Sequence, residues 1–130
     1  MNTSYLTLEQ ILVIHEDQIE RYGGTSGLRN LELLESALFR PQSTFDGNDL
    51  YKDIFEKAAS FMHSLILNHP FVDGNKRTGM VGGLVFLEIN GFSLQVQQGE
   101  LVETALVIAT KKLDIEKTTA WIQSHTEKNL

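Results

Sequence analysis

Five polar side chains crowd into nine residues of the segment HPFVDGNKRTG, positions 69–79: His69, Asp73, Asn75, Lys76 and Arg77. Most of these types suit a part of one chemistry. A histidine titrates near neutral pH and can take a proton from an incoming hydroxyl. Asp73 is a hard oxygen donor, suited to a Mg²⁺ ion that keeps waters and bridges phosphates. Gly74 lacks a side chain, so phosphate oxygens can approach the backbone closely there. Lys76 and Arg77 add positive charge, and the planar guanidinium of Arg77 matches phosphate in a bidentate contact. Phe71 and Val72 are the apolar residues that would anchor the segment on a core.

The same stretch allows a plainer use, as a polar turn between helices in which Asp73 caps the second helix and pairs with Lys76 or Arg77. That use leaves the histidine, the asparagine, the glycine and the paired cations unexplained. It also answers only in part a problem of charge. The two cations open a helical segment, where the dipole favours acidic residues by ~0.3–1 kcal/mol each. A bound phosphate accounts for the whole set.

The elements that must position these residues read as helices joined by short polar turns, a mainly α chain. Thr7 and Gln10 form a capping-box start, and Leu8, Ile11, Leu12, His15, Ile19 and Tyr22 follow at helical spacing until Gly23-Gly24. Asn30 caps a second helix carrying Leu31, Leu34 and Leu38, with Pro41 beyond its end. STFDGNDLY reads as a small hairpin. A third helix runs from Asp53 to about Asn68, and His69 before Pro70 is steered away from helical dihedrals. The segment is therefore a loop, and a fourth helix starts near Asn75 and ends at Gly91. Its free N-terminal amides point outward and favour an anion. Apolar residues on nearly all its sides predict a central, buried helix. FSLQV is a short extended piece, and ELVETALVIATKK and IEKTTAWIQSH close the chain as two more helices.

Composition narrows the functions. The 42% hydrophobic and 22% charged content is that of an ordinary globular chain. With 17 acidic against 11 basic residues, the formal charge of −6 argues against direct binding to nucleic acid. No cysteine is present, which removes disulfides, thiolate catalysis and sulfur-ligated metals. No apolar run is long enough to span a bilayer, and MNTSYLTLEQ lacks the features of a signal peptide, so a cytoplasmic location is expected. Other motif matches fail. HEDQI at 15–19 has Ile19 where a zinc-protease pattern needs histidine, which leaves His15 as a partly buried helix residue. GGTSG lacks the lysine of a P-loop, and DGNDLYKD has Leu50 at a calcium-ligand position. Trp121 reads as a core residue.

HPFVDGNKR fits H-x-F-x-[DE]-G-N-[GK]-R, the signature of the Fic family, at every defined position. YLTLEQILVIHEDQIERYGG, LLESALFRP, FEKAASF and NHPFVDGNKRTG resemble the Doc ("death on curing") branch over nearly the whole chain. The resemblance implies one domain over residues 1–130, a helical bundle with a small β-hairpin flap beside the active loop. Phe45, Asp46, Gly47 and Asn48 would be that flap and would dock the target. It implies ATP and Mg²⁺ as cofactors, with part of the nucleotide moved to a protein hydroxyl. His69 would then be the general base and Asp73 the Mg²⁺ ligand. Gly74, Asn75, Lys76 and Arg77 would bind the phosphates, and Phe71 would be a structural anchor.

Family members that attach AMP usually carry a second glycine after the asparagine and another arginine three residues past the first. This chain has Lys76 and Met80 there. Doc-type toxins share the lysine and move the terminal phosphate of ATP to a threonine of elongation factor Tu, halting translation. The resemblance thus favours a kinase-like toxin, with AMP transfer or a catalytically silent nucleotide-binding relative as alternatives. Gly74 pulls toward AMP transfer, because the Doc pattern has alanine at that position. Many Fic proteins also carry an inhibitory helix, [ST]-x-x-x-E-[GN]. No glutamate here precedes glycine or asparagine. The resemblance therefore implies a separate, Phd-like antitoxin whose folding tail covers the site.

Overall fold

Local capping chemistry decides where most of the helices begin. The computed structural model describes residues 2–129. Helix α1 (Leu8–Tyr22) starts at a complete capping box: Thr7 Oγ1 accepts from the Gln10 amide at 3.2 Å, and Gln10 Oε1 accepts from the Thr7 amide at 2.9 Å. Asn30 caps α2 (Leu31–Phe39), and Asp53 caps α3 (Ile54–Asn68), each accepting an amide three residues on. Pro41 falls in a short 3₁₀ turn, Arg40–Gln42. Strands β1 (Thr44–Phe45) and β2 (Asn48–Asp49) pair antiparallel, Thr44 with Asp49 and Phe45 with Asn48. Asp46 and Gly47 join them with φ of 53° and 79°, the two positive values that a tight hairpin turn needs.

Helix α4 (Asn75–Ile89) follows the candidate loop, then β3 (Phe92–Leu94), α5 (Gln98–Ala109), α6 (Ile115–Ser124) and β4 (Thr126–Lys128). Strand β4 pairs antiparallel with β3, so the end of the chain is tied back to the turn after α4. The sequence reading ended at α6 and missed this strand. Three polar residues carry no hydrophobic alternation, and their partner lies more than thirty positions away.

The central helix is α3, where every residue from Lys57 to Ile66 is buried. This corrects the expectation that α4 is the helix buried on all sides. Helix α4 owes its place to three glycines. A Cβ at Gly79 would stand 2.7 Å from Ile66 Cγ1, one at Gly82 would stand 2.7 Å from the Phe61 ring, and one at Gly83 would collide with Met62. The missing side chains let α3 press directly on α4, and the motif loop between these two helices inherits that rigid base. A continuous core of Ile11, Leu34, Met62, Leu65, Leu87, Ile108 and Ile122 joins all six helices, with Trp121 packed half-buried at its edge. Among the described residues, no helix is long and apolar enough to cross a membrane.

Candidate active site

Helix α3 ends at Asn68, and His69 follows in the left-handed region with φ 50° and ψ 56°. Departure from right-handed helix before Pro70 is what the sequence predicts. The left-handed value goes further, since a residue with a Cβ takes it only at a cost of roughly 1–2 kcal/mol. His69 is exposed, while Pro70 and Phe71 turn inward, Phe71 to 1% exposure. Phe71, expected as a structural anchor, packs within the buried core.

The loop is laced to the segment between α1 and α2. The Val72 amide donates to the Gly27 carbonyl at 3.0 Å, and the Arg29 amide donates to the Pro70 carbonyl at 2.8 Å, so Leu28 and Phe71 face each other as an antiparallel pair. In such a pair the amide and carbonyl of Phe71 itself point to the opposite side. The Asn75 side chain meets them there. Its Oδ1 accepts from the Phe71 amide at 2.9 Å, and its Nδ2 donates to the Phe71 carbonyl at 3.0 Å. Asn75 is 8% exposed, and its amide does for Phe71 what a neighbouring strand would do. The side chain expected to contact phosphate is committed inside the loop, which leaves only its backbone N–H for that purpose.

His15, set aside as an ordinary helix residue, proves to be part of the loop's support. It is 3% exposed, its ring lies flat on Phe71 with centroids 3.7 Å apart, and Nε2 is 2.8 Å from the Asp73 carbonyl oxygen. The carbonyl can only accept, so His15 Nε2 is the donor. The Asp73 carboxylate is exposed. Its Oδ1 accepts from the Gly74 amide at 2.9 Å and its Oδ2 from the Thr25 amide at 3.2 Å, which fixes its direction. One oriented carboxylate fits a Mg²⁺ that takes its remaining ligands from phosphates and water. An all-protein cage is not offered, for no cluster of three His, Asp or Glu side chains occurs among the described residues.

Gly74 opens α4 with φ 78°, and no side chain caps the helix. The first-turn amides of Asn75, Lys76 and Arg77 therefore lack the partner that Thr7, Asn30 and Asp53 supply elsewhere. Neither Lys76 nor Arg77 forms an ion pair among the described residues, so the turn in which Asp73 neutralises them is not what forms. The Arg77 guanidinium lies over the Tyr22 ring, 4.0 Å from its centroid, while Lys76 is exposed. Both line one end of a cleft of about 370 Å³ between α1, α4 and α5, whose other walls include Met80, Val81, Leu101 and Val102. Met80 is 1% exposed and belongs to the apolar wall.

The expected flap residues Phe45, Asp46, Gly47 and Asn48 all lie on the β1–β2 hairpin and are exposed, Phe45 to 76%. The hairpin is held from below by Lys57 of α3. That ammonium is buried and donates to Asp49 Oδ2 at 3.0 Å and to the Tyr51 carbonyl.

An exposed histidine, an oriented carboxylate and an uncapped, cationic helix start thus converge on one loop. Residues 5–87 match the Fic/DOC family. The chain belongs to the Fic/Doc family. It is 36% identical over 122 residues to a protein named Toxin Doc from Mycolicibacterium smegmatis, covering 91% of this chain and 90% of that one. It is also 28% identical over 111 residues to the Protein kinase doc of Escherichia phage P1, covering 85% of this chain and 86% of the relative. Both relatives place the chain in the Doc branch of the Fic/Doc family. Residues 5–87 take in α1 to α3, all but the last two residues of α4, the motif loop and its lacing from Gly27, Arg29 and His15.

Proposed function

We propose that the protein is the toxin of a toxin–antitoxin pair and moves the terminal phosphate of ATP to a hydroxyl of a target protein. The target we favour is a threonine of elongation factor Tu, whose modification would block translation. The observation that carries the reading is the start of α4, where three uncapped amides and two cations with no ion pair among the described residues follow a glycine. Such a helix start favours the charge of a phosphate chain.

On this reading the work divides among this chain's residues. The amides of Asn75, Lys76 and Arg77, with the Lys76 and Arg77 side chains, hold the phosphates. Asp73 would hold a Mg²⁺ ion, which would supply neutralisation of phosphate charge. His69 takes the proton of the target hydroxyl as its oxygen bonds to the terminal phosphorus, and the bond to the bridging oxygen breaks to release ADP. The exposed hairpin around Phe45 docks the target. Catalysis of this kind rests on positioning and charge, and a loop held through Gly27, Arg29, His15 and Asn75 supplies the first.

AMP transfer is the second reading, and Gly74 is the observation that favours it. It is the glycine of the AMP-transferring majority, held at φ 78°, and a Cβ there would stand 3.1 Å from Ile19 Cδ1. Lys76 and the buried Met80 favour phosphoryl transfer, since they stand where AMP-transferring members usually carry a second glycine and a second arginine. A silent nucleotide-binding relative is the third reading. We assign the antitoxin, a Phd-like protein, to the cleft between α1, α4 and α5, because a tail laid there would cover Lys76 and Arg77. Incubating the protein with elongation factor Tu and ATP labelled on the terminal or on the α phosphate tests all three. Terminal label on the target supports the kinase, α label overturns it in favour of AMP transfer, and no label under either condition removes both.

A further inference from the structure

Helix α3 ends in a way its own backbone cannot complete. A helix terminus is commonly closed by amides of the residues just past the cap, which donate to the last carbonyls. The residue after the His69 cap is Pro70, which has no N–H to give. His69 meanwhile holds a left-handed conformation that a side-chain-bearing residue keeps only where its surroundings enforce it.

One side chain meets both needs. Arg29 Nε donates to the His69 carbonyl at 2.6 Å, and its Nη2 donates to the Asn68 carbonyl at 2.9 Å. The Arg29 backbone amide donates to the Pro70 carbonyl at 2.8 Å. Three successive carbonyls, those of residues 68, 69 and 70, are therefore held by a single residue forty positions before His69 in sequence. The planar fork of a guanidinium can satisfy two adjacent carbonyls at once, and its charge sits at the negative end of the α3 dipole. Among the described residues Arg29 forms no ion pair that would draw it elsewhere.

We propose that Arg29, which lies outside the motif, is a positioning residue of the reaction. It ties down the carbonyls around His69, fixes the backbone there and so sets the direction in which the imidazole meets the target hydroxyl. The proposal rests on the reading of His69 as the base, and the test separates the two.

In the full chain, Arg29→Ala is expected to lower kcat in the label-transfer assay by about ten- to a hundredfold with KM for ATP unchanged. Added guanidinium ion restores much of that loss and methylammonium does not, and Arg29→Lys recovers little, because one ammonium cannot span both carbonyls. Independently of activity, NMR couplings at the His69 Cα report a positive φ in the wild type and lose it in Arg29→Ala. Retention of the positive φ, or a kcat within about twofold of wild type, overturns the proposal. Should Arg29→Ala not fold, Arg29→Gln carries the same two readouts. If the wild type transfers no label, the reading of His69 as the base fails, and the couplings alone then decide whether Arg29 holds that backbone.

Discussion

Replacing Asn75 by alanine separates two roles that a motif asparagine can have. In the structure its side chain closes a reciprocal pair with the Phe71 amide and carbonyl at 2.9 and 3.0 Å. Phe71 is 1% exposed, and its groups on that side have no other partner, since Leu28 occupies the opposite edge. Asn75→Ala leaves one donor and one acceptor unsatisfied in a dry site, at ~1–3 kcal/mol each. The expected loss is thus on the order of 2–6 kcal/mol, a large share of the ~5–15 kcal/mol that holds a typical domain. Urea unfolding should show the midpoint falling sharply with little change in slope. Asn75→Asp keeps the acceptor but turns a carboxylate oxygen toward the Phe71 carbonyl, so it should lose stability as well. If Asn75→Ala unfolds within ~0.5 kcal/mol of wild type yet no longer binds ATP, the side chain acts on the ligand and the loop-staple reasoning is wrong.

Three further outcomes are expected. His69→Gly relieves a left-handed residue whose side chain is exposed. Its thermal midpoint should match or exceed wild type, by up to ~1 kcal/mol in stability, while transfer is abolished; full activity in this variant would remove His69 as the base. Gly82→Ala drives a Cβ against the Phe61 ring of α3 and to 3.0 Å from Ile11 Cδ1 of α1. Overpacking of ~1–3 kcal/mol should exceed the ~1 kcal/mol of helix propensity gained, so a variant as stable as wild type in urea would contradict the tight α3–α4 contact. His63 lies buried beside Thr118, with its Nε2 3.2 Å from Oγ1. Burial lowers its pKa, helped by the Arg40 charge and opposed by backbone groups at Leu113 and Asp114 and by the Asp114 carboxylate. The unfolded chain then binds the proton more readily than the native one. The contribution is present above the unfolded histidine pKa of ~6.5 and is lost as pH falls below it. Unfolding midpoints measured through that range should fall with pH in wild type and flatten in His63→Gln.

What could be read from the sequence is what is settled over three or four residues. Thr7, Asn30 and Asp53 mark helix starts because each binds an amide three positions on, and the Asp46-Gly47 turn is named by the φ signs it requires. The motif residues were legible as a cluster for the same reason. Their support was not. His15 meets Asp73 across 58 residues and Arg29 meets His69 across 40, and neither side chain carries a local pattern that distinguishes it from a helix or turn residue. Asn75 is instructive because its partner is only four residues away, yet a side-chain amide serves a ligand or a backbone equally well. Only the burial of Phe71 and the bridge to Leu28 decide the case.

That division bears on how the site works. The residues that can face a nucleotide or a hydroxyl, namely His69, Asp73 and Lys76, are exposed. Those that hold them come from α1 and the α1–α2 segment, or point inward from α4. A strained His69 can persist because three carbonyls around it are tied from outside the loop. Asp73 can offer a metal a fixed direction because His15 holds its carbonyl while the Gly74 and Thr25 amides hold its carboxylate. Substitutions in the lacing should therefore weaken turnover without touching a ligand, and substitutions at the exposed residues should remove turnover without lowering stability. A variant series in which both classes lost stability and activity in proportion would show that the loop has no such separation of support from chemistry.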